Sequence, residues 1–357
     1  MKKFLLSILI ILLTSAIFYL YWDKRNRWDA QRIYHEYNSA VWLVHVKWGY
    51  KIMVNNEDYT KSFLGLQNKE PMNIIAKCEE QDDGNWAFKG GYNEGTATAF
   101  FVREDGVLAT NKHVLSPWLY DNCPNEMKLM EKILRKFYAN MTKQDTLYND
   151  VANNLKVIGY LDSVWIAPNG EFDDVKHRVD CKLFKVDSSM NYFYGVKTND
   201  GDENDDGTIF QTNSETLPPS VEKVIKGFDG GWFEYDVEKP ISDGRIGETV
   251  YAIGFPFGTN SFASTIDNKY GQISSQIQNG IITQYRGFLN FGHNIPVANG
   301  MSGSPIINEK GLLVGIHATG YTGINGVQGI NQGVSTLIIF RYLREWDGYK
   351  SSLSDNN

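Results

Sequence analysis

A chain of 357 residues with 42% hydrophobic and 22% charged residues has the balance of a globular protein, long enough for two ordinary domains or one large composite domain. A net charge of −7 leaves no basic face for general nucleic-acid binding, so nucleic acid is not an expected partner. Cys78, Cys123 and Cys181 form no CxxC pair, and the sequence has no HExxH, GxxxxGK or GxGxxG, so neither a metal site nor a cofactor is expected.

Lys2 and Lys3 precede an uncharged run from Phe4 to Trp22, which ends at Asp23-Lys24-Arg25. At about 1.5 Å per residue this run nearly crosses a bilayer core, so residues 1–28 read as a signal anchor. A signal peptide cleaved near Thr14-Ser15-Ala16 is the alternative. Both readings export the remainder, either tethered to the membrane on its outer side (the periplasm in a bacterium) or secreted.

From Val41 onward the pattern is strand-like, with short apolar or alternating runs between Gly, Asn and Asp turns. Such runs occupy 40–54, 96–102, 106–114, 181–186, 249–255, 280–285, 304–308 and 311–318. The exception is 125–141, where Met127, Met130, Ile133, Leu134 and Phe137 recur at helical spacing, predicting an inserted helix that most simply decorates the surface. Residues 335–346, "STLIIFRYLREW", suit a closing helix. The acidic stretch 197–207 and the glycine-rich stretch 320–329 read as loops. Many short strands with one helical insertion predict a mainly β protein of antiparallel barrels or sandwiches.

Within "NGMSGSPIIN" (299–308), two glycines and two serines precede an apolar strand. A serine nucleophile needs a base, because a free hydroxyl is too weak an acid to attack at neutral pH. It also needs backbone N–H groups aimed at the developing oxyanion, and glycines let a substrate carbonyl approach them. Ser302 is the candidate nucleophile, the N–H groups of Gly300 and Ser302 the candidate oxyanion hole, and His113, ending "GVLATNKH", the candidate base.

Taken together, "GTATAFFVREDGVLATNKHVL", "GETVYAIGFPFG", "GIITQY" and "NGMSGSPIINEKGLLVGIHA" resemble, in order and character, the trypsin-like serine peptidases, nearest to the exported bacterial HtrA-like branch. The resemblance spans about 36–346. It implies two six-stranded antiparallel β-barrels with the active site between them, a polypeptide substrate, and catalytic residues in the chain order His, Asp, Ser. The family's acid stands before a short apolar strand. Asp206 in "DDGTIFQT" fits best, although Gly207 and Thr208 depart from the usual residues, and Asp205 and Asp180 are the alternatives. Domain boundaries follow: an N-terminal barrel over 36–220 with a helical insertion near 121–150, a C-terminal barrel over 221–346, and a tail over 347–357, with no PDZ domain after it.

Two further patterns bear on ligands. Asp202, Asn204 and Asp206 with Gly207 copy the start of an EF-hand loop, but Asn213 stands where the bidentate glutamate belongs, so a solvated acidic loop is the simpler reading. His317 lies fifteen residues after Ser302, where the similar glutamyl endopeptidases use a histidine to recognise an acidic side chain. Val297 replaces their partner threonine, and a structural histidine competes with that role. Ala318, Thr319 and Gly320 are expected to pair with the substrate backbone as an added strand. His35, His45, His177 and His293 read as structural or surface residues. Two functions follow: a serine endopeptidase, or a catalytically silent relative that keeps the barrels for binding, with calcium possible in its acidic loop.

Overall fold

The computed structural model describes residues 11–15, 27–64, 76–80, 86–120, 123–141, 153–168, 178–187, 192–193, 206–225, 246–258, 274–286, 289–320 and 331–354. Strand β1 (Val41–Val54) organises the first half of the molecule. Its fourteen residues are nearly all buried because both faces are covered, which a continuous apolar and aromatic run allows. One edge pairs antiparallel with β5 (Asn93–Phe101) and the other with β7 (Leu155–Ala167), the latter with a bulge at Lys47/Trp48. The path β1-β5-β6-β11-β8-β7, with β6 (Val107–Asn111), β8 (Val179–Lys182) and β11 (Gly207–Thr212), returns to β1 and closes a six-stranded barrel. Leu43, Phe100, Phe101, Leu108 and Phe210 are in its buried core.

The distal halves of β1 and β7 run on as a ribbon, joined by β2 (Glu57–Asp58) and the hairpin of β3 (Ala76–Glu80) with β4 (Trp86–Gly90). A separate hairpin pairs β9 (Lys185–Asp187) with β10 (Tyr192–Phe193). The inserted helix, Cys123–Met141, is present and is more than decoration. Met130 and Leu134 enter the same core as Tyr50, Ile52 and Leu155. Its polar side chains finish the ribbon: Glu131 accepts from the Val157 N–H at 2.8 Å, and Arg135 donates to the Leu155 carbonyl at 2.6 Å. Gly159 leaves room for Trp118, whose indole a β-carbon there would overlap.

The second barrel is a plain closed ring in the order β12 (Thr249–Gly254), β13 (Gln276–Arg286), β14 (Asn290–His293), β17 (Asn331–Ser335), β16 (Leu313–Gly320) and β15 (Pro305–Asn308). Val250, Ala252, Ile282, Phe291, Ile306 and Val314 fill it. The fold is therefore mainly β with two six-stranded antiparallel barrels, as the sequence implied.

The two ends of the described chain cross over. Helix α1 (Ala30–Tyr37), capped by the Asp29 carboxylate, comes before barrel 1 yet sits on barrel 2: the Trp28 N–H donates to the Glu309 carbonyl at 2.6 Å and the Tyr37 hydroxyl to the Gly311 carbonyl at 2.7 Å. The closing helix, Thr336–Ser354, leaves barrel 2 and packs on barrel 1 through Ile338 beside Gly207 and Trp346 against Phe184. The helix continues past 347, where Asp347 binds Arg103 at 2.7 Å. The chain also stays with barrel 1 past 220, because Val221, Val224 and Ile225 join its core and the Ile225 N–H donates to Phe101.

Residues 11–15 are helical, with Ile11, Leu12 and Leu13 exposed; the rest of the apolar run falls outside the described residues. Among the described residues no helix is long and apolar enough to cross a membrane. The glycine-rich stretch 321–330 is also outside them.

Candidate active site

Asn111 ends β6 in extended backbone and starts the single turn Lys112–Leu115 that carries His113. Asp206 enters β11 beside it, since Gly207 pairs with Asn111. The two segments are locked by their polar groups: Asn111 Nδ2 donates to the Asp206 carbonyl at 2.8 Å, and the Lys112 N–H donates to the same oxygen at 3.2 Å. The Asp206 carboxylate spans His113. Oδ1 accepts the His113 backbone N–H at 3.0 Å, and Oδ2 lies 2.6 Å from Nδ1. An ionised carboxylate only accepts, so Nδ1 carries the proton and Nε2 is the unprotonated nitrogen of the neutral ring. The imidazole is 27% exposed and the carboxylate 13%, so the ring reaches solvent while its orienting partner is largely withdrawn from it. Tyr120 stacks edge-on against the imidazole, with centroids 5.8 Å apart.

The Gly207 departure now has a cause. A β-carbon at that position would meet Ile338 of the closing helix at 2.9 Å. Of the alternative acids, Asp180 is half exposed on β8 and pairs with Arg178 at 2.5 Å, while Asp205 lies outside the described residues. So do Asp202 and Asn204 of the EF-hand-like pattern, whose remaining carboxylate, Asp206, is committed to His113. Among the described residues no group of three His, Cys, Asp or Glu side chains is arranged to hold a metal ion.

Ser302 sits on the tight loop before β15. Met301, between the two small residues, is buried in the core of barrel 2 and anchors the loop from beneath. Gly300 (φ 93°) and Gly303 (φ 86°) are both left-handed. A β-carbon on Gly303 would overlap the Thr98 carbonyl oxygen and the Thr110 hydroxyl; one on Gly300 would overlap the turn at Phe255–Gly258. The glycines are therefore needed for close backbone packing.

Five successive carbonyls of this loop are tied. Ala298 accepts from Met301 at 3.1 Å, Asn299 from Phe257, Gly300 from the Thr98 hydroxyl at 2.8 Å, Met301 from Ser304 at 3.0 Å, and Ser302 from the Thr98 N–H at 2.8 Å. With the carbonyls turned away, the N–H groups of Gly300 and Ser302 have no acceptor among the described residues. The Ser302 hydroxyl itself donates to the Ala318 carbonyl at 3.3 Å, not to His113.

His317 on β16 is fastened to this loop through its backbone, accepting from Gly303 and donating to Ser304, both at 2.9 Å. Its ring points into buried space, where Nδ1 lies 3.2 Å from Nε2 of His293. No pattern in the sequence pairs His293, and the contact joins positions twenty-four residues apart, which no local spacing signals. Burial holds the His293 pKa down to about 4, and the same desolvation, with His293 and His113 nearby, holds His317 well below the ordinary value. Both rings are neutral at pH 7. Beyond His317, β16 pairs with β17 along one edge, and among the described residues no strand pairs with Ala318–Gly320 on the other.

Two closed barrels, a carboxylate–imidazole pair on one and a serine beside two N–H groups without an acceptor among the described residues on the other, define the general class of two-barrel peptidases. Residues 97–316, more than half of the chain, match the model of the trypsin-like peptidase domain, and the chain belongs to that family, the trypsin-like serine peptidases. It is thus a peptidase, a hydrolase acting on polypeptide. Similar solved structures include an HtrA-type protease, AlgW, with a decapeptide (15% identity, TM-score 0.42, covering 89% of this chain and 68% of that one). A serine endoprotease from Yersinia pestis is another (13% identity, TM-score 0.42, covering 89% and 66%). The chain thus spans about two thirds of the length of each. No curated protein matches it.

Proposed function

We propose that this peptidase is an exported serine endopeptidase that cleaves peptide bonds through an acyl-enzyme on Ser302. The observation carrying this reading is the pair of N–H groups at Gly300 and Ser302 that have no acceptor among the described residues, beside a hydroxyl, on a chain that also fixes His113 Nδ1 on Asp206. In the reaction the Ser302 hydroxyl rotates from Ala318 to His113, and Nε2 takes its proton as Oγ attacks the scissile carbonyl carbon. The N–H groups of Gly300 and Ser302 hold the oxyanion. As the C–N bond breaks, His113 returns that proton to the leaving amine. Water then enters with the same base and releases the acid, while Asp206 holds the ring and stabilises the imidazolium throughout.

Ala318, Thr319 and Gly320, which pair with β17 on one edge and with no described strand on the other, would take the substrate backbone as an added strand. His317 would contribute to the primary pocket as a neutral hydrogen-bonding wall, because its buried ring disfavours the charge that an acidic side chain would seek. Export rests on the Phe4–Trp22 run, as an anchor or a cleaved leader. The domain plan is residues 1–28 for export, barrel 1 over 36–220 with its helical insertion, barrel 2 over 221–346 and a tail over 347–357.

The donation of Ser302 to Ala318 instead of His113 is the one observation favouring the second reading, a silent binding module. A fluorophosphonate probe followed by intact mass separates the two. One adduct on the wild-type chain, lost in Ser302→Ala together with casein hydrolysis, is expected; no adduct on folded protein would make it a binding module.

A further inference from the structure

Ser302 and its two candidate oxyanion donors belong to barrel 2, yet two of the five carbonyl tethers that turn this loop come from one residue of barrel 1. Thr98 lies on β5 and is fully buried. Toward β6 the ladder of β5 pairs only at Phe100 and Phe101, so at Thr98 that edge is open, and the Ser302 carbonyl accepts its N–H at 2.8 Å. The hydroxyl donates to the Gly300 carbonyl at 2.8 Å and accepts the Phe255 N–H at 3.0 Å. The Thr98 carbonyl is held in turn by the Thr110 hydroxyl at 2.8 Å.

We infer that Thr98 is a positioning residue for the oxyanion hole, fixing from the opposite barrel the peptide that links its two donors. This rests on the serine-peptidase reading above. The Gly300 N–H belongs to the peptide whose carbonyl Phe257 holds, and the Ser302 N–H to the peptide whose carbonyl Ser304 holds. Between them lies the Gly300–Met301 peptide, and its carbonyl is held by the Thr98 hydroxyl. Gly300 is left-handed and has no side chain, so rotation about its bonds is cheap. Without the hydroxyl this middle peptide keeps only the bond of its Met301 N–H to the Ala298 carbonyl at 3.1 Å, so it turns more easily and the two N–H groups lose their common aim. Because the hydroxyl also holds Phe255 at the end of β12, one side chain registers three segments of the two barrels against each other.

The test replaces Thr98 in the full-length chain by Val, which keeps the shape and removes the hydroxyl, and by Ser, which restores it. For Thr98→Val, kcat on a peptide substrate is expected to fall about 10- to 100-fold with KM within about twofold. The affinity for a peptide boronate, whose tetrahedral adduct occupies the oxyanion hole, should fall in parallel, while that for the matching product acid stays level. Thr98→Ser should recover most of the loss. If Thr98→Val does not fold, Thr98→Cys, a weaker donor of similar size, is expected to fall between Ser and the loss described. Wild-type kcat and boronate affinity without the hydroxyl, or a Ser variant as impaired as the Val one, overturns the inference while leaving the function standing. A wild-type chain that turns over no peptide and takes no phosphonate overturns both.

Discussion

In barrel 1, side chains set the site: His113 is held by both oxygens of Asp206, which Asn111 and Lys112 fasten in turn by its backbone. In barrel 2, by contrast, Ser302 is held mostly by backbone bonds and by the absence of side chains, with the Thr98 hydroxyl on the Gly300 carbonyl, Gly300 and Gly303 pressed against neighbouring groups and Met301 buried below. The proposed acid–base half therefore depends on charge and on side-chain hydrogen bonds. The nucleophile half depends on space and on carbonyls being occupied. Substitutions that keep the shape should harm the first half through chemistry; those that add volume should harm the second through folding.

The largest effect is expected from Asp206→Asn. It keeps the volume but no longer holds His113 in the correct tautomer, so kcat should fall about 10⁴-fold with thermal stability little changed. Steady-state kinetics beside a melting curve check this; a loss confined to stability would break the comparison. Gly303→Ala tests the other half. Its β-carbon meets the Thr98 carbonyl in a left-handed conformation, and the variant should lose about 3 kcal/mol or more of stability in urea unfolding, with activity lost through the displaced loop.

A third prediction concerns pH. His293 folds with its pKa near 4, against an ordinary 6.5, so the unfolded chain binds the extra proton between those values. The stability it contributes is complete above about pH 6.5 and is lost as pH falls toward 4, on the order of 3 kcal/mol, with His317 adding in the same direction. Urea midpoints measured from pH 7 to pH 4 should show this slope, and His293→Gln should flatten it. The smallest effect belongs to Asp180→Asn. Its exposed pair with Arg178 contributes little, so stability within about 0.5 kcal/mol of wild type and unchanged kcat are expected. A fall in kcat comparable to that of Asp206→Asn would reassign the acid.

Much of this site could be read locally. The Gly300–Gly303 cluster, the strand-turn pattern ending at His113 and the helical spacing of Met130 and Leu134 are short-range features, because backbone room and amphipathic period are written in neighbouring residues. Asp206 was legible only against two rivals. Its neighbour Gly207 is small because Ile338, more than a hundred residues away, fills the space, so the local pattern looked irregular for a distant reason.

Periodicity and glycine placement, which constrain the backbone directly, set the mainly β class and the small-residue loop around Ser302, whereas the two six-stranded barrels followed from the family resemblance. Long-range packing chose which partners meet. It joined His293 to His317, crossed each terminal helix onto the opposite barrel, and brought Thr98 to the Gly300 carbonyl from the other barrel. These contacts link positions far apart in the chain, and a buried polar group chooses its partner from whatever packing brings near, which no local window of residues records.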